Sequence, residues 1–292
     1  MQNRKSPSFT RRKSIQARIR NLARETHKPS QSITILLAME RFSYRLHQIF
    51  PDYTVIKGGL ALELRSRAAR TTQDIDIRTK GSFSEIKELL KQLESFKPVP
   101  EDYFEFSIRE DPSKPNITGI GVKYHGFRFK VEAKMAGEIF ASFGLDISIN
   151  DPIYGEILIV EGDNFFSKYA IPPIQARVYP PGTHLAEKLH AYTSPMEGDW
   201  ENSRCKDLVD ILLLARELHG ETSSNIYNAF QLTFSYRDTH PIPSALPTYP
   251  KDWKDRYLTI KQNNDLPWEN IEDVFEKASL FLNPILSQKD DL

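Results

Sequence analysis

Two short segments, KGG at residues 57–59 and RTTQDIDI at residues 70–77, decide the fold that this sequence predicts. The alternation in the second segment is typical of a β-strand, in which residues two apart face the same side. Asp74 and Asp76 therefore project together, while the isoleucines beside them enter the core. Two neighbouring carboxylates repel each other unless a cation lies between them, and Mg²⁺ prefers such oxygen ligands. The pattern predicts a metal site on this strand, held by Asp74 and Asp76.

The KGG segment is a turn signal that we expect to open a helix. Backbone N–H groups at a glycine turn and at a helix N-terminus both suit a phosphate group. Gly58 and Gly59 are therefore candidates for phosphate binding beside the two acids. The alternative is a solvated strand edge with alternating acids, because alternation alone is ordinary strand patterning. The glycine turn counts against that alternative without removing it.

Two further charged residues lie in patterns that could bring them to the same site. Asp146 is a carboxylate within the strand-like segment GLDIS at 144–148, where it could hold a metal ion or deprotonate a hydroxyl group. Lys188, in the helical segment AEKLHA at 186–191, lies at the margin of an apolar stripe and could hold phosphates as a point charge. The alternatives are an exposed strand acid and a surface lysine, and the residues alone leave both open.

A predicted helix over 204–218 carries two more acids. Asp207 and Asp210 are three residues apart and therefore share one face of that helix. Both acids could be structural, alone or through pairing with Lys206 or Arg204. The pattern leaves open whether they belong to the site or to the packing of the helix.

Basic residues are concentrated at the start of the chain. Residues 1–30 contain nine Lys or Arg and a single acid, Glu25, although the formal net charge of the whole chain is zero. A basic arm on a mildly acidic body favours contact with the phosphate backbone of a nucleic acid, and a solvated tail is the alternative. We predict a disordered basic arm over residues 1–13, because this segment has almost no apolar anchor.

Composition and missing motifs exclude several classes of protein. The sequence lacks a run of about 18 apolar residues, so we expect no membrane-spanning helix, and its start lacks the apolar core of a signal peptide. The single cysteine, Cys205, rules out a disulfide framework. Walker A and Gly-x-Gly-x-x-Gly motifs are absent, which counts against common ATPase and dinucleotide sites. We therefore expect a cytoplasmic protein.

The remaining pattern predicts an α+β fold in two parts. Residues 14–180 alternate strand and helix signals and should form a small mixed sheet with helices, including a hairpin across His125-Gly126. Residues 181–292 are helical in character, with a helix starting at Thr183 and others over 204–218, 222–236 and 269–287. We place the domain boundary near residue 180.

Taken in order, these motifs resemble the AbiEii toxin family of nucleotidyltransferases. The matching segments run from about Ser14 to about Leu218 and include the KGG turn, the DID strand, the LDI segment, the AEKLHA helix and the segment at 202–210. The resemblance implies a polymerase-β-like nucleotidyltransferase core and the toxin half of a type IV toxin–antitoxin or phage-defence pair. It also implies an antitoxin as possible partner, an NTP as substrate and a site for two Mg²⁺ ions.

The resemblance also assigns roles to individual residues. Asp74 and Asp76 match the metal-binding catalytic acids, and Lys188, Asp207 and Asp146 match further catalytic residues. The nucleotide-binding set implied in the same way is Lys57, Gly58, Gly59, Arg70, Thr72 and Lys206. Two departures are the glycine at 59, where polymerase-type enzymes usually have serine, and the long spacing from that glycine to Asp74. Asp146 and Asp207 compete for the role of third acid.

The sequence thus predicts an enzyme that transfers NMP from an NTP to an RNA hydroxyl. The tRNA 3′ end is the acceptor implied by MenT-type relatives, and the basic arm would hold it. Two alternatives stay open: a non-catalytic nucleotide- or RNA-binding module, and a nucleotidyltransferase that modifies a protein or a small molecule. The retained acids argue against the first alternative, and the basic arm favours nucleic acid over the second.

Overall fold

The computed structural model describes residues 6–50, 54–66, 71–112, 116–117, 126–195 and 204–288. Within these ranges the chain forms a mixed β-sheet with packed helices, followed by a helical C-terminal half. The predicted α+β class is therefore confirmed. No helix in the described ranges is both long enough and apolar enough to cross a bilayer.

The elements follow one another along the chain with short connections in most places. The helices are α1 (Pro7–Thr26), α2 (Ser30–Ile49), α3 (Gly58–Arg65), α4 (Phe83–Ser95), α5 (Pro181–Thr193), α6 (Cys205–Glu217), α7 (Ser223–Arg237), α8 (Trp253–Gln262) and α9 (Ile271–Leu286). The strands are β1 (Val55–Lys57), β2 (Asp74–Thr79), β3 (Glu105–Glu110), β4 (Asn116–Ile117), β5 (Gly126–Met135), β6 (Glu138–Ile149), β7 (Leu158–Glu161) and β8 (Gln175–Val178).

The sheet brings together strands from distant parts of the chain. Its order is β3-β5-β6-β2-β1-β8-β7, with β4 paired to the beginning of β5. β5 and β6 form a long antiparallel hairpin, whereas β6 runs parallel to β2 and β1 runs parallel to β8. Parallel neighbours need crossover connections rather than tight turns. As a result β2, the strand of the two aspartates, lies in the centre of the sheet between β1 and β6.

Buried apolar side chains fall into two clusters. One extends from Ile15 to Val178 around the sheet, and the other extends from Leu185 to Leu286 between the C-terminal helices. Leu62 on α3 belongs to the second cluster, so α3 connects the two. The clusters divide close to residue 180, and the domain boundary placed there stays a prediction.

The beginning of the described chain corrects the predicted disordered arm. Residues 7–13 belong to α1, and Ser6 caps this helix by accepting a hydrogen bond from a backbone N–H of the first turn. Ile15 and Ile19 are buried and anchor the helix in the first cluster. The first two turns of α1 carry few apolar residues, so hydrophobic periodicity alone could not detect them. Residues 1–5 lie outside the described residues.

The predicted turn at His125-Gly126 is also wrong. Gly126 is a strand residue that pairs with Ile117 of β4, a register that a two-residue turn at 125–126 does not allow. Residues 118–125 lie outside the described residues. The long hairpin instead joins β5 to β6 across Ala136 and Gly137, both of which have positive φ. Helix α8, which follows the Pro-rich connection, was not predicted.

Helix α2 is attached to the segment before β3 by a buried cluster of charges. Asp102 is fully buried and accepts hydrogen bonds from Arg45 at 2.7 and 2.9 Å and from Arg41 at 2.9 Å. Burial by itself would raise the pKa of Asp102, but the hydrogen bonds and charges of Arg45 and Arg41 outweigh it and hold that pKa below its usual value. The carboxylate therefore stays charged at neutral pH and holds α2 in place.

We expect Asp102→Asn to lower the free energy of unfolding by about 3–5 kcal/mol, because two buried guanidinium groups lose their counter-charge. Urea denaturation at pH 7 measures this loss. Glu132→Gln is the matched control, since it breaks the 2.8 Å ion pair with the exposed Arg109, a class of pair worth at most about 1 kcal/mol. Equal small losses in both variants would contradict a stabilising role for the buried cluster.

Candidate active site

The two predicted metal ligands lie on the central strand of the sheet. β2 pairs with β1 on one side and with β6 on the other, and this register aligns Lys57, Asp76 and Asp146 in one row across three strands. Residues in one row share a face of the sheet. Asp74, Asp76 and Asp146 accordingly line one cleft of about 690 Å³. The same cleft is lined by Gly59, Thr72, Lys188, Arg204, Lys206 and Asp207.

The two glycines after β1 are required by the close approach of side chains from β2 and from the segment before it. Gly58 has φ +62°, and a Cβ there would lie 1.9 Å from Oδ2 of Asp76. A Cβ on Gly59 would lie 2.6 Å from Oγ1 of Thr72. Any larger residue would therefore displace the acid or the hydroxyl from the cleft. This packing explains both glycines without a bound phosphate, and the phosphate-binding role stays a prediction.

A third glycine makes the same kind of room on the other side of β2. Gly144 of β6 pairs with Asp74, and a Cβ there would lie 2.4 Å from Oδ1 of that acid. No sequence motif singles out this glycine. The one indication in the sequence is that Gly144 precedes Asp146 by two residues, and residues two apart on a strand share a face.

Asp76 lies where a charged carboxylate is disfavoured. Burial raises its pKa, the charge of Lys57 opposes that effect, and repulsion from Asp146 adds to it, so that the pKa of Asp76 reaches about 6. Asp74 contributes a weaker repulsion from its exposed position at the start of β2. The two acids of the DID segment therefore differ in environment, one partly buried and one open to solvent.

Asp146 is held by an arginine that the sequence analysis missed. Arg128 of β5 lies opposite Asp146 in the sheet register and donates hydrogen bonds to both of its carboxylate oxygens, at 2.7 and 2.6 Å. The hydrogen bonds and charge of the acid raise the pKa of Arg128. No spacing rule in the sequence links residues 128 and 146, because only the β5–β6 register places them side by side.

Lys57 does not line the cleft. Its ammonium group donates hydrogen bonds to Asp151 at 2.5 Å and to Glu187 at 3.2 Å. Burial by itself would lower the pKa of Lys57, but the charges of Glu187 and Asp151 outweigh it and raise that pKa. Lys57 thus supplies a buried positive charge next to Asp76. The nucleotide-binding role predicted for it stays a prediction. Arg70, predicted for the same role, lies outside the described residues.

Lys188 reaches the cleft from α5 and is paired with acids of α6. Its Nζ lies 2.9 Å from Oδ1 of Asp207 and 2.9 Å from Oδ2 of Asp210, which is fully buried. Asp207 and Asp210 are one helical turn apart, which is why a single ammonium group can contact both. Lys206 is exposed in the same cleft. Lysines from α5 and α6 therefore share the cleft with the two acids of β2.

The described residues contain no group of three or more His, Cys, Asp or Glu side chains placed to hold a metal ion. Asp74 and Asp76 are a pair, and the nearest further acid, Asp146, is bound to Arg128. A metal ion at this pair would therefore need additional oxygen ligands from water or from a substrate.

The fold is similar to that of two solved bacterial proteins. A crystal structure of JHP933 from Helicobacter pylori matches with a TM-score of 0.54 and 17% identity over 90% of this chain and 95% of that chain. MenT4, a nucleotidyltransferase toxin from Mycobacterium tuberculosis, matches with a TM-score of 0.52 and 14% identity over 93% of this chain and 98% of that one. At these identities the likeness concerns the fold alone. A search of curated proteins found no match.

The family comparison covers most of the chain and most of the residues that line the cleft. The model of the family described as "Nucleotidyl transferase AbiEii toxin, Type IV TA system" matches residues 41–277. That range includes the two acids of β2, the glycine turn, Asp146 and both helices that supply cations. The chain therefore belongs to the AbiEii family of nucleotidyltransferase toxins, as its motifs predicted.

Proposed function

We propose that this nucleotidyltransferase uses Mg²⁺ to transfer NMP from an NTP to an RNA, with the 3′ end of tRNA as acceptor. The observation that supports the proposal most strongly is the position of Asp74 and Asp76 on one face of β2, in the same cleft as Lys188 and Lys206. Acids and cations that line one cleft match the charges of a metal-bound triphosphate.

The residues present fit a divalent metal ion. The carboxylates of Asp74 and Asp76 are hard oxygen ligands of the kind that Mg²⁺ prefers. The raised pKa of Asp76 arises from burial and from repulsion by neighbouring acids, and a cation at the pair would relieve both effects. Asp74 and Asp76 would hold the metal, with phosphate oxygens completing its coordination. When bound, the metal supplies charge stabilisation to the attacking and leaving oxygens.

The cations of α5 and α6 would hold the triphosphate. Lys188, Lys206 and Arg204 line the same cleft as the acids of β2, and the two lysines would bind the β- and γ-phosphates. The acceptor hydroxyl oxygen then attacks the α-phosphorus as the bond to pyrophosphate breaks. Asp146 would take the hydroxyl proton, and Asp207 is its competitor for that role. Both acids are ion-paired, Asp146 with Arg128 and Asp207 with Lys188. We favour Asp146 because it pairs in register with Asp76 on the neighbouring strand.

The basic face of α1 would contribute to RNA binding. Part of this charge serves the fold, since Arg12 donates hydrogen bonds to backbone carbonyls at the β5–β6 turn and Arg18 to that of Phe165. Arg20 and Arg24 are exposed and one turn apart, so they remain available to a phosphate backbone. Contacts of this kind add affinity that depends on salt and not on sequence. We also propose that the protein has a cognate antitoxin as partner and that it is located in the cytoplasm.

The direct test is incubation with each labelled NTP, Mg²⁺ and total tRNA, followed by a denaturing gel. We expect one NTP to label tRNA, and Asp74→Asn or Asp76→Asn to abolish labelling, because a neutral amide cannot replace a carboxylate ligand. Melting curves of both variants control for folding. Full labelling by either variant would contradict the metal pair. Labelling of a protein instead of tRNA would support the proposed transfer of NMP and contradict tRNA as its acceptor.

Asp76→Asn should also change stability in a pH-dependent way when EDTA removes metal. An ordinary aspartate ionises near 3.8, and Asp76 in the folded protein near 6. Wild-type stability therefore falls as pH rises between these values, by up to about 3 kcal/mol for two pKa units. We expect the variant to melt higher than wild type at pH 8 and equally at pH 4. Asp74→Asn, at an exposed acid, is the control and should change Tm less at pH 8.

Lys206→Ala and Lys188→Ala separate substrate binding from folding. Loss of the Lys206 ammonium group should raise KM for the NTP by about tenfold, which corresponds to about 1.4 kcal/mol of binding free energy. Because Lys206 is exposed, Tm should not change. Lys188 neutralises two acids, so Lys188→Ala should lower both kcat/KM and Tm. Lys188→Arg should restore Tm and only part of the activity. Wild-type kcat/KM in Lys188→Ala would rule out contact with the triphosphate.

A further inference from the structure

Three residues from three neighbouring strands form a row that leads out of the cleft. Asp76 of β2 pairs in register with Asp146 of β6, and Asp146 pairs in register with Arg128 of β5. All three side chains share one face of the sheet. Asp146 therefore lies between a carboxylate that repels it and a guanidinium group that attracts it.

The guanidinium group of Arg128 binds both carboxylate oxygens of Asp146. Nε of Arg128 donates to Oδ1 at 2.7 Å and Nη2 donates to Oδ2 at 2.6 Å, the two-pronged arrangement that is strongest between these groups. Asp146 in this state lines the same cleft as the two acids of β2, but its charge is compensated by Arg128.

Arg128 also faces a second cleft, of about 590 Å³, on the sheet beside the first. Asp74 and Asp146 line both clefts, so the two meet at the acids. A transfer reaction needs room for two substrates that meet at the reacting atoms. Because the lysines that suit a triphosphate lie in the first cleft, the second cleft is left for the acceptor.

We propose that Arg128 is a positioning residue, an inference that rests on the proposed function. When a phosphate group of the acceptor strand binds the guanidinium group of Arg128 in place of the Asp146 carboxylate, Arg128 releases Asp146. The freed carboxylate then turns towards the acids of β2. There it accepts the proton of the acceptor hydroxyl as the new oxygen–phosphorus bond forms and the bond to pyrophosphate breaks. The acceptor thereby completes the site at which it reacts.

The exchange is feasible because the two states make equivalent contacts. A planar guanidinium group binds a phosphate with the same pair of N–H donors that it offers a carboxylate. The side chains of Arg128 and Asp146 are 33% and 21% exposed, so solvent screens their attraction and lowers the cost of separating them. A fully buried pair, such as that of Asp102 with its arginines, could not exchange in this way.

The first test measures Mn²⁺ binding by electron paramagnetic resonance, without RNA or NTP. Arg128→Gln frees Asp146, so we expect Mn²⁺ to bind about tenfold more tightly than in wild type, because an unpaired carboxylate charge is added near the site. Arg109→Gln is the matched control, since it removes an arginine of the same cleft that is paired with Glu132 instead. The double variant Arg128→Gln/Asp146→Asn should return to wild-type affinity.

The second test measures steady-state kinetics with tRNA as acceptor. Arg128→Gln should raise KM for tRNA by about tenfold, the loss expected for one charged phosphate contact, and leave KM for the NTP unchanged. It should also increase hydrolysis of the NTP in the absence of tRNA, since Asp146 is free before the acceptor arrives. Arg128→Lys should restore part of the tRNA affinity, because an ammonium group still binds phosphate.

The two tests distinguish failure of this inference from failure of the proposed function. Unchanged Mn²⁺ affinity in Arg128→Gln, or an equal gain in Arg109→Gln, would overturn the release of Asp146, whatever the acceptor is. A tenfold gain that the double variant abolishes would support it even if wild-type protein failed to label tRNA. In that case only the proposed acceptor would be wrong.

Discussion

Repulsion between carboxylates that face one cleft is the constraint on which the charge arrangement of this protein depends. Asp74, Asp76 and Asp146 are brought to one face by the register of β2 and β6. Like charges at this separation, partly shielded from water, raise the free energy of the folded protein unless cations offset them. Burial first, and then repulsion from Asp146, raise the pKa of Asp76. Groups with pKa values shifted in this way are concentrated at functional sites.

Cations from other elements compensate the surrounding acids one by one. Arg128 binds Asp146, Lys188 lies between two acids of α6, and Lys57 contributes a buried charge next to Asp76. Among the residues that the structure describes, Asp74 and Asp76 have no direct ion pair. Negative charge is therefore concentrated at the two acids for which we propose a metal ion. If these acids hold the metal, stability and function are opposed there, as is common at functional sites.

The backbone around the acids is adapted to the same constraint. Gly58, directly after β1, and Gly144, on β6, flank β2 on its two sides, and a Cβ at either position would collide with a carboxylate oxygen. The glycine turn was detected in the sequence as a phosphate-binding signal, yet the structure gives it a packing reason that needs no ligand. Gly144 carried no such signal, because its importance arises from the strand beside it. A glycine beside the acids can therefore be part of a recognisable local motif, as Gly58 is, or be required only by a tertiary contact, as Gly144 is.

Sequence by itself determined the α+β class, the strand of Asp74 and Asp76 and the helices that carry Lys188 and Asp207, because hydrophobic periodicity and local turns encode single elements. The family followed from the order of those motifs. Only the tertiary structure decided that Arg128 binds Asp146, that Lys57 points into a buried network and that α1 begins at Pro7. These facts depend on strand register and on packing between distant segments. A register is chosen by the whole sheet, so no local pattern reports it.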